Sequence, residues 1–340
     1  MSKQPRTVIV TGATAGVGRA LALKFAREGD RVGLIARDAQ ALTETVRQIE
    51  AIGGIAACQP VDVSDPRALA AASEKLQQDL GPVDIWINDA METVFSTVVR
   101  MTPDEFRRVT EVTYLGFVYG TMMALKTMRE RRSGLIIQIG SALAYRGIPL
   151  QSAYCGAKHA IRGFTDALRT ELLHERSPVR LMMFQLPAVN TPQFDWARDH
   201  MSHDPRPVGA PVQPEVIADA VYRASFGNGR EYWIGAQTWL TIIGNALAPS
   251  FLDHYLARKA FSGQQTRQLR SPERPDNLER PATSLHRVRG SFSSEAKTSA
   301  AMAPEMAVRM GAALGTAFLF LAAGVAIGGA FKARRGPRAF

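Results

Sequence analysis

Seven short apolar runs, each separated from the next by a stretch with helical periodicity, constrain this chain more than any other feature. The runs are TVIVT at 7–11, RVGLIA at 31–36, IAACQPVDV at 55–63, DIWIN at 84–88, GLIIQIG at 134–140, VRLMMFQL at 179–186 and REYWIG at 230–235. Helices are expected at 16–28, 39–52, 65–80, about 104–131, 151–175 and 214–225, with Asp65 capping the third. A strand that is apolar at nearly every position must be covered on both faces. Alternation with helices makes the connections right-handed crossovers between parallel strands. The expected fold is therefore α/β: a doubly wound, seven-stranded parallel sheet with helices on both faces, occupying residues 1–262.

After Phe261 the composition changes. Residues 263–305 are rich in Ser, Pro, Arg and Gln, with few groups to bury, and read as a disordered basic linker. Residues 310–331 carry no charge over 22 positions, contain a Gly324/Gly328 pair and are followed by Lys332, Arg334 and Arg335. That length suits a bilayer span, so 306–340 is expected to be a transmembrane helix with a basic tail. The chain's net charge is +10, and residues 261–340 hold 12 Lys/Arg against 5 Asp/Glu. The excess base is thus in the tail. It suits an anionic membrane surface, and with few aromatics nearby it argues against nucleic acid. Cys58 and Cys155 form no metal-like spacing and no disulfide framework, no metal ligand set is visible, and the first strand has no apolar leader before it. The expected location is a membrane, with the main domain facing the cytoplasm.

TGATAGVG at 11–18 joins the first strand to the first helix. Gly12 permits a tight turn, Gly16 and Gly18 permit close approach, and Thr14, Ala15 and Val17 present backbone N–H groups beside a helix N-terminus. This is a candidate dinucleotide phosphate loop. The second strand ends IARD. Arg37 there can pair with a 2′-phosphate, which favours NADP, whereas Asp38 reading the ribose would favour NAD. Asp62 and Val63, after the third strand, are placed to meet an adenine. Tyr154 and Lys158 in YCGAKHA are four apart, one helical turn.

Together these features resemble the short-chain dehydrogenase/reductase family over about residues 6 to 260. The family's T-G-x-x-x-G-x-G is matched by TGATAGVG, its Y-x-x-x-K by Tyr154 and Lys158, and its serine thirteen residues before the tyrosine by Ser141. The resemblance implies a Rossmann-type NAD(P)-dependent oxidoreductase that interconverts a ketone or aldehyde and an alcohol. Tyr154 would exchange the proton, Lys158 would lower its pKa and hold the nicotinamide ribose, and Ser141 would hold the substrate oxygen. Asn88 and Ala90 would line the cofactor, and Val189 and Thr191 would approach its carboxamide. It also implies a homo-oligomer.

Three positions depart from the family pattern. N-N-A-G is NDAM here, with Asp89 and Met91 exchanged. The relay asparagine is Thr113, whose main-chain carbonyl could still hold a water. The P-G-x-x-x-T loop is LPAVNT. Residues 192–213 are expected as a substrate lid, with Phe194, Trp196 and Met201 offering an apolar face and His200 and His203 at the surface. The apolar stripe at 239–257 is expected to pack against the sheet or a subunit partner rather than to cover the active site or lie on a membrane. A membrane anchor would favour a lipophilic substrate. The alternative function is a membrane-tethered NAD(P)-binding sensor of the same fold without catalysis.

Overall fold

The computed structural model describes residues 4–314. Along the chain run β1 (Thr7–Thr11), α1 (Gly16–Arg27), β2 (Arg31–Ala36), α2 (Ala39–Ala51), β3 (Ile55–Pro60), α3 (Pro66–Leu80) and β4 (Ile85–Asn88). There follow β5 (Val94–Phe95), α4 (Pro103–Thr110), a π-helical turn (Glu111–Leu115), α5 (Gly116–Glu130), β6 (Leu135–Ile139), α6 (Ser152–His174) and β7 (Arg180–Gln185). The remainder is α7 (Gln193–Trp196), β8 (Arg198–Asp199), β9 (His203–Pro205), α8 (Pro214–Ala224), β10 (Glu231–Ile234), α9 (Ala236–Leu247), α10 (Pro249–Gly263), β11 (Gln265–Leu269) and β12 (Met302–Pro304).

Helix starts follow side-chain chemistry. Asp38 accepts from Ala41 N and caps α2, Asp65 accepts from Arg67 N and Ala68 N before Pro66, and Thr102 and Glu105 form a capping box at α4. The seven expected strands lie side by side and parallel in the order β10-β7-β6-β4-β1-β2-β3. Strand order reverses direction between β1 and β4, so the crevice at their carboxyl ends is where such a sheet takes a ligand. One apolar cluster, with Leu21, Phe25, Ile217 and Val221, fills one face of the sheet, and a second, with Leu69, Leu76, Trp86 and Met128, fills the other.

The sheet has eight strands rather than seven, and it is mixed. The added strand β12 pairs antiparallel with β10, Trp233 opposite Ala303. It comes from the segment expected to be a disordered linker. Its three residues carry no pattern of their own; what recruits them is the open row of N–H and C=O groups along β10. The rest of that segment is also laid against the domain. β11 pairs with β9, Gln264 bonds Gln151 and Pro149 O, and Leu278 is 1% exposed. Hydrogen bonding to the domain, together with a few isolated apolar residues such as Leu278 and Phe292, fixes this polar stretch.

Among the described residues no helix is long and apolar enough to cross a membrane. Residues 305–314 begin a helix in which Arg309 bonds Glu305 and lies over the Trp233 ring. Of the span expected at 310–331, residues 315–331 lie outside the described residues. The transmembrane helix, the membrane partner and the membrane location expected from sequence are withdrawn on this finding. A run of uncharged residues is necessary for a span, but its Ala and Gly content makes it only moderately apolar.

Candidate active site

The glycine loop turns off β1 as Gly12 N and Ala13 N donate to Ile35 O. Gly12 and Gly16 have φ of 72° and 55°, which side chains rarely adopt. A Cβ on Gly16 would meet Thr191 at 2.9 Å, and one on Gly18 would meet Gly12 O at 2.3 Å. α1 has no side-chain cap, and the first of its N–H groups, Gly16 N, donates to Arg287 O at 3.0 Å.

Above the carboxyl ends of the strands lies a cavity of about 770 Å³. Gly12, Thr14, Ala15, Gly16 and Val17 line it, as do Arg37, Asp62, Val63, Ala90, Val189 and Thr191. Ser141, Tyr154 and Lys158 line its inner end. The structure therefore gathers in one cleft all but three of the residues singled out from sequence. Gly18 packs α1 against the loop. Asn88 lies beneath the cleft, donating to Gln138 Oε1 at 2.9 Å and Thr121 Oγ1 at 3.1 Å and accepting from Trp86 Nε1 at 2.8 Å. Thr113, fully buried in the π-helical turn, accepts from Glu92 N at 2.9 Å and donates to Glu92 O at 3.0 Å. Its hydroxyl braces the β4 exit.

Ser141 follows β6, where its N–H donates to Gln185 Oε1, and its hydroxyl accepts from Leu143 N. Tyr154 sits in the first turn of α6. Burial raises its pKa well above the usual phenol value, against the nearby Ser141 hydroxyl, which lowers it; Cys155 and Asp89 add to the rise. Lys158 is one turn on and 3% exposed; its Nζ donates to Ile139 O at 2.8 Å and lies 5.5 Å from the Tyr154 ring centre. Burial lowers the Lys158 pKa and Asp89 opposes that fall.

Asp89, one of the departures from the family motif, occupies a defined place. Its carboxylate lies beside Gly18 at the start of α1 and faces Lys158; burial raises its pKa, and Lys158 and the Gly18 N–H pull it back. Sequence reasoning missed Glu92. It pairs with Arg37 at 2.5 Å, yet burial raises its pKa to about 8, with Arg37 and Arg108 opposing. Arg108 also binds Asp62, whose other oxygen accepts from Ser64 N at 3.0 Å. Burial pushes the Asp62 pKa up, but Arg108 and Ser64 outweigh it and hold it below the usual carboxylate range. Only the tertiary contact identifies Arg108, since nothing in α4 marks it.

The outer wall of the cavity is apolar. Leu240, Leu252, Tyr255 and Leu256 come from α9 and α10, which Pro249 separates, and Val208 and Phe194 come from the 192–213 segment. The 239–257 stripe, expected to pack on the sheet or a partner, thus covers the cleft; α9 meets β10 at its start and then projects over the cavity mouth. His200 bonds Glu105 at 2.8 Å and His203 bonds Ser202.

A model of the short chain dehydrogenase family matches residues 6–201. An uncharacterized oxidoreductase of Bacillus subtilis (strain 168), YxnA, is 27% identical over 283 residues, 83% of this chain and 80% of that one. 3-Dehydrosphinganine reductase of Danio rerio is 32% identical over 170 residues, 48% of this chain and 51% of its own, so the chain spans about half the length of that relative. Among solved structures, a metagenomic short-chain oxidoreductase in complex with NADP is similar with a TM-score of 0.57 and 25% identity over 67% of this chain and 93% of its own. A variant of actinorhodin polyketide ketoreductase with NADPH is similar with a TM-score of 0.58 and 27% identity over 66% and 91%.

Proposed function

The chain belongs to the short chain dehydrogenase family, and from that premise we propose that it is an NADP-dependent reductase of a lipophilic ketone or aldehyde. The observation that carries this reading is the gathering of Ser141, Tyr154 and Lys158, the last two one helical turn apart, in the cavity that begins at the glycine loop. The residues fit a dinucleotide. The loop carries no side chain at Gly12 and Gly16, its residues from Gly12 to Val17 other than Ala13 line the cavity, and Arg37 lines the same cavity. Two of the similar solved structures hold NADP or NADPH.

When bound, the nicotinamide supplies or accepts the hydride. The chain's own residues handle the oxygen and its proton. Ser141 holds the substrate oxygen with its hydroxyl. Tyr154, kept protonated by burial, donates its proton to that oxygen as an alcohol forms. Lys158, fixed by Ile139 O against the Tyr154 ring, stabilises the phenolate left behind and holds the ribose. Leu240, Leu252, Tyr255 and Leu256 line the cavity and favour an apolar substituent on the carbonyl.

The test is turnover of NADPH against a panel of aliphatic and aromatic ketones and aldehydes, with the full chain. Tyr154→Phe is expected to lower turnover by at least about a thousandfold while leaving the NADPH dissociation constant within a factor of about three. Retained turnover in Tyr154→Phe would sink the assignment of the proton donor. A wild-type protein that binds NADH more tightly than NADPH would sink the choice of cofactor.

A further inference from the structure

The 277–292 segment lies along the outer end of the cavity rather than away from it. Arg37 donates to Asn277 O at 2.5 Å and Leu278 O at 3.0 Å, Arg19 donates to His286 O at 2.8 Å, and Gly16 N donates to Arg287 O at 3.0 Å. These bonds fasten the segment on both sides of His286. With the segment in place the cavity still extends from Arg37 past the glycine loop to Tyr154, and Asn277, Pro281 and His286 form part of its lining. The segment lines the space, and its carbonyls accept from Arg37 and Gly16 within it.

His286 is the unexplained group in that wall. Its side chain is 9% exposed, it leans on the Trp196 ring at 5.3 Å between centres, and its Nε2 is 3.2 Å from Asp38 Oδ2. Neither ring nitrogen has an aligned hydrogen-bond partner, and neither has Asp38 Oδ2. A buried imidazole with both nitrogens unsatisfied, at the edge of a cavity, is costly unless a ligand completes it. The charges nearby indicate which ligand. The end of β2 presents the Arg37 cation, but the Asp38 and Glu92 carboxylates crowd it. Alone, that set would repel a dianion as much as attract one. Burial, with Arg19 and Arg37 close by, lowers the His286 pKa, and Asp38 opposes that fall; a phosphate dianion set against the ring would favour its protonation, and the ring would then offer one nitrogen to the phosphate and the other to Asp38.

We propose that the C-terminal segment completes the cofactor site and that His286, with Arg37, binds the 2′-phosphate on the adenosine ribose of NADP. The proposal rests on the NADP reading above and adds the residue that enforces it. His286 then sets cofactor preference from a part of the chain beyond the matched family region, which ends at 201.

Fluorescence titration of the full chain with NADPH and with NADH tests this, comparing wild type, His286→Ala, His286→Gln and His286→Arg. Loss of one charge-assisted phosphate contact is expected to weaken NADPH roughly tenfold. NADH should change less than about twofold, and His286→Arg should retain the preference for NADPH. Displacement of bound NADPH by 2′-AMP should weaken in His286→Ala as the NADPH affinity does, while 5′-AMP is unaffected. Should the alanine variant melt well below wild type, the glutamine variant, close in size and uncharged, carries the comparison. Equal weakening of both cofactors would mark a structural role and overturn the proposal. Unchanged or tighter NADPH binding would overturn it too, the tighter result marking the segment as a competitor for the cleft. A wild type without preference for NADPH removes the NADP reading and this one together. A preference that is undiminished in His286→Ala removes this one alone.

Discussion

At the residue scale, the site keeps two carboxylates where burial opposes their ionisation. Glu92 is the clearer case. Its pKa in the folded protein is about 8, against an ordinary glutamate value near ~4.3 in the unfolded chain. Between those values the folded state holds a proton that the unfolded state lacks. The stability this group contributes is therefore full at acid pH and is lost as pH rises through that window. Glu92→Gln removes the dependence. The melting temperature of the variant minus that of wild type should rise by several degrees from about pH 5 to about pH 8 in cofactor-free protein. A flat difference would show that Arg37 keeps Glu92 ionised throughout. The sequence made Arg37, Ser141, Tyr154 and Lys158 legible because spacing along a strand end or a helix turn carries their geometry. Glu92 and Arg108 were not legible, since each acquires its partner across more than forty residues of chain.

At the scale of elements, the first strand, loop and helix leave almost no tolerance. Gly18 faces Gly12 O at 2.3 Å from where a Cβ would stand, and that oxygen is backbone and cannot turn aside. Gly18→Ala is expected to destabilise the protein by about 2–3 kcal/mol through overpacking, and to lower cofactor affinity with it. Gly163, in the middle of α6, has nothing within 4 Å of its would-be Cβ. Gly163→Ala should instead stabilise by about 0.5–1 kcal/mol. Thermal or urea unfolding of the two variants checks both signs. The departures from the family motif also make sense at this scale. Asp89 sets a carboxylate beside Gly18, in the first turn of a helix that has no side-chain cap.

At the scale of the whole molecule, the C-terminal third does more than follow the domain. It adds β12 to the sheet, seats Leu278 against Val94, Val109 and Tyr154, and walls the cavity. Burying Leu278 alone is worth about 1.5–3 kcal/mol. A chain ending at residue 263 should consequently melt lower than the full chain, bind an apolar dye, and associate through the bared edge of β10. Size-exclusion chromatography and dye fluorescence of the two lengths decide this. Equal melting and no association would show that the residues after 263 are dispensable to the fold.

The sequence by itself determined the doubly wound sheet, the phosphate loop and the Ser141, Tyr154 and Lys158 group. Each is written in local periodicity or in fixed spacing on one element. It also suggested a membrane span from apolar length alone and a linker from low apolar content. Neither reading weighs what the segment meets in three dimensions. Only the tertiary structure decided that β10 had an edge to offer, that α9 and α10 cover the cleft, and that His286 comes to rest beside Asp38. The reason is that these contacts are made by backbone groups and single polar side chains. Their partners lie tens to hundreds of residues away, and such pairings leave no pattern in the neighbouring sequence.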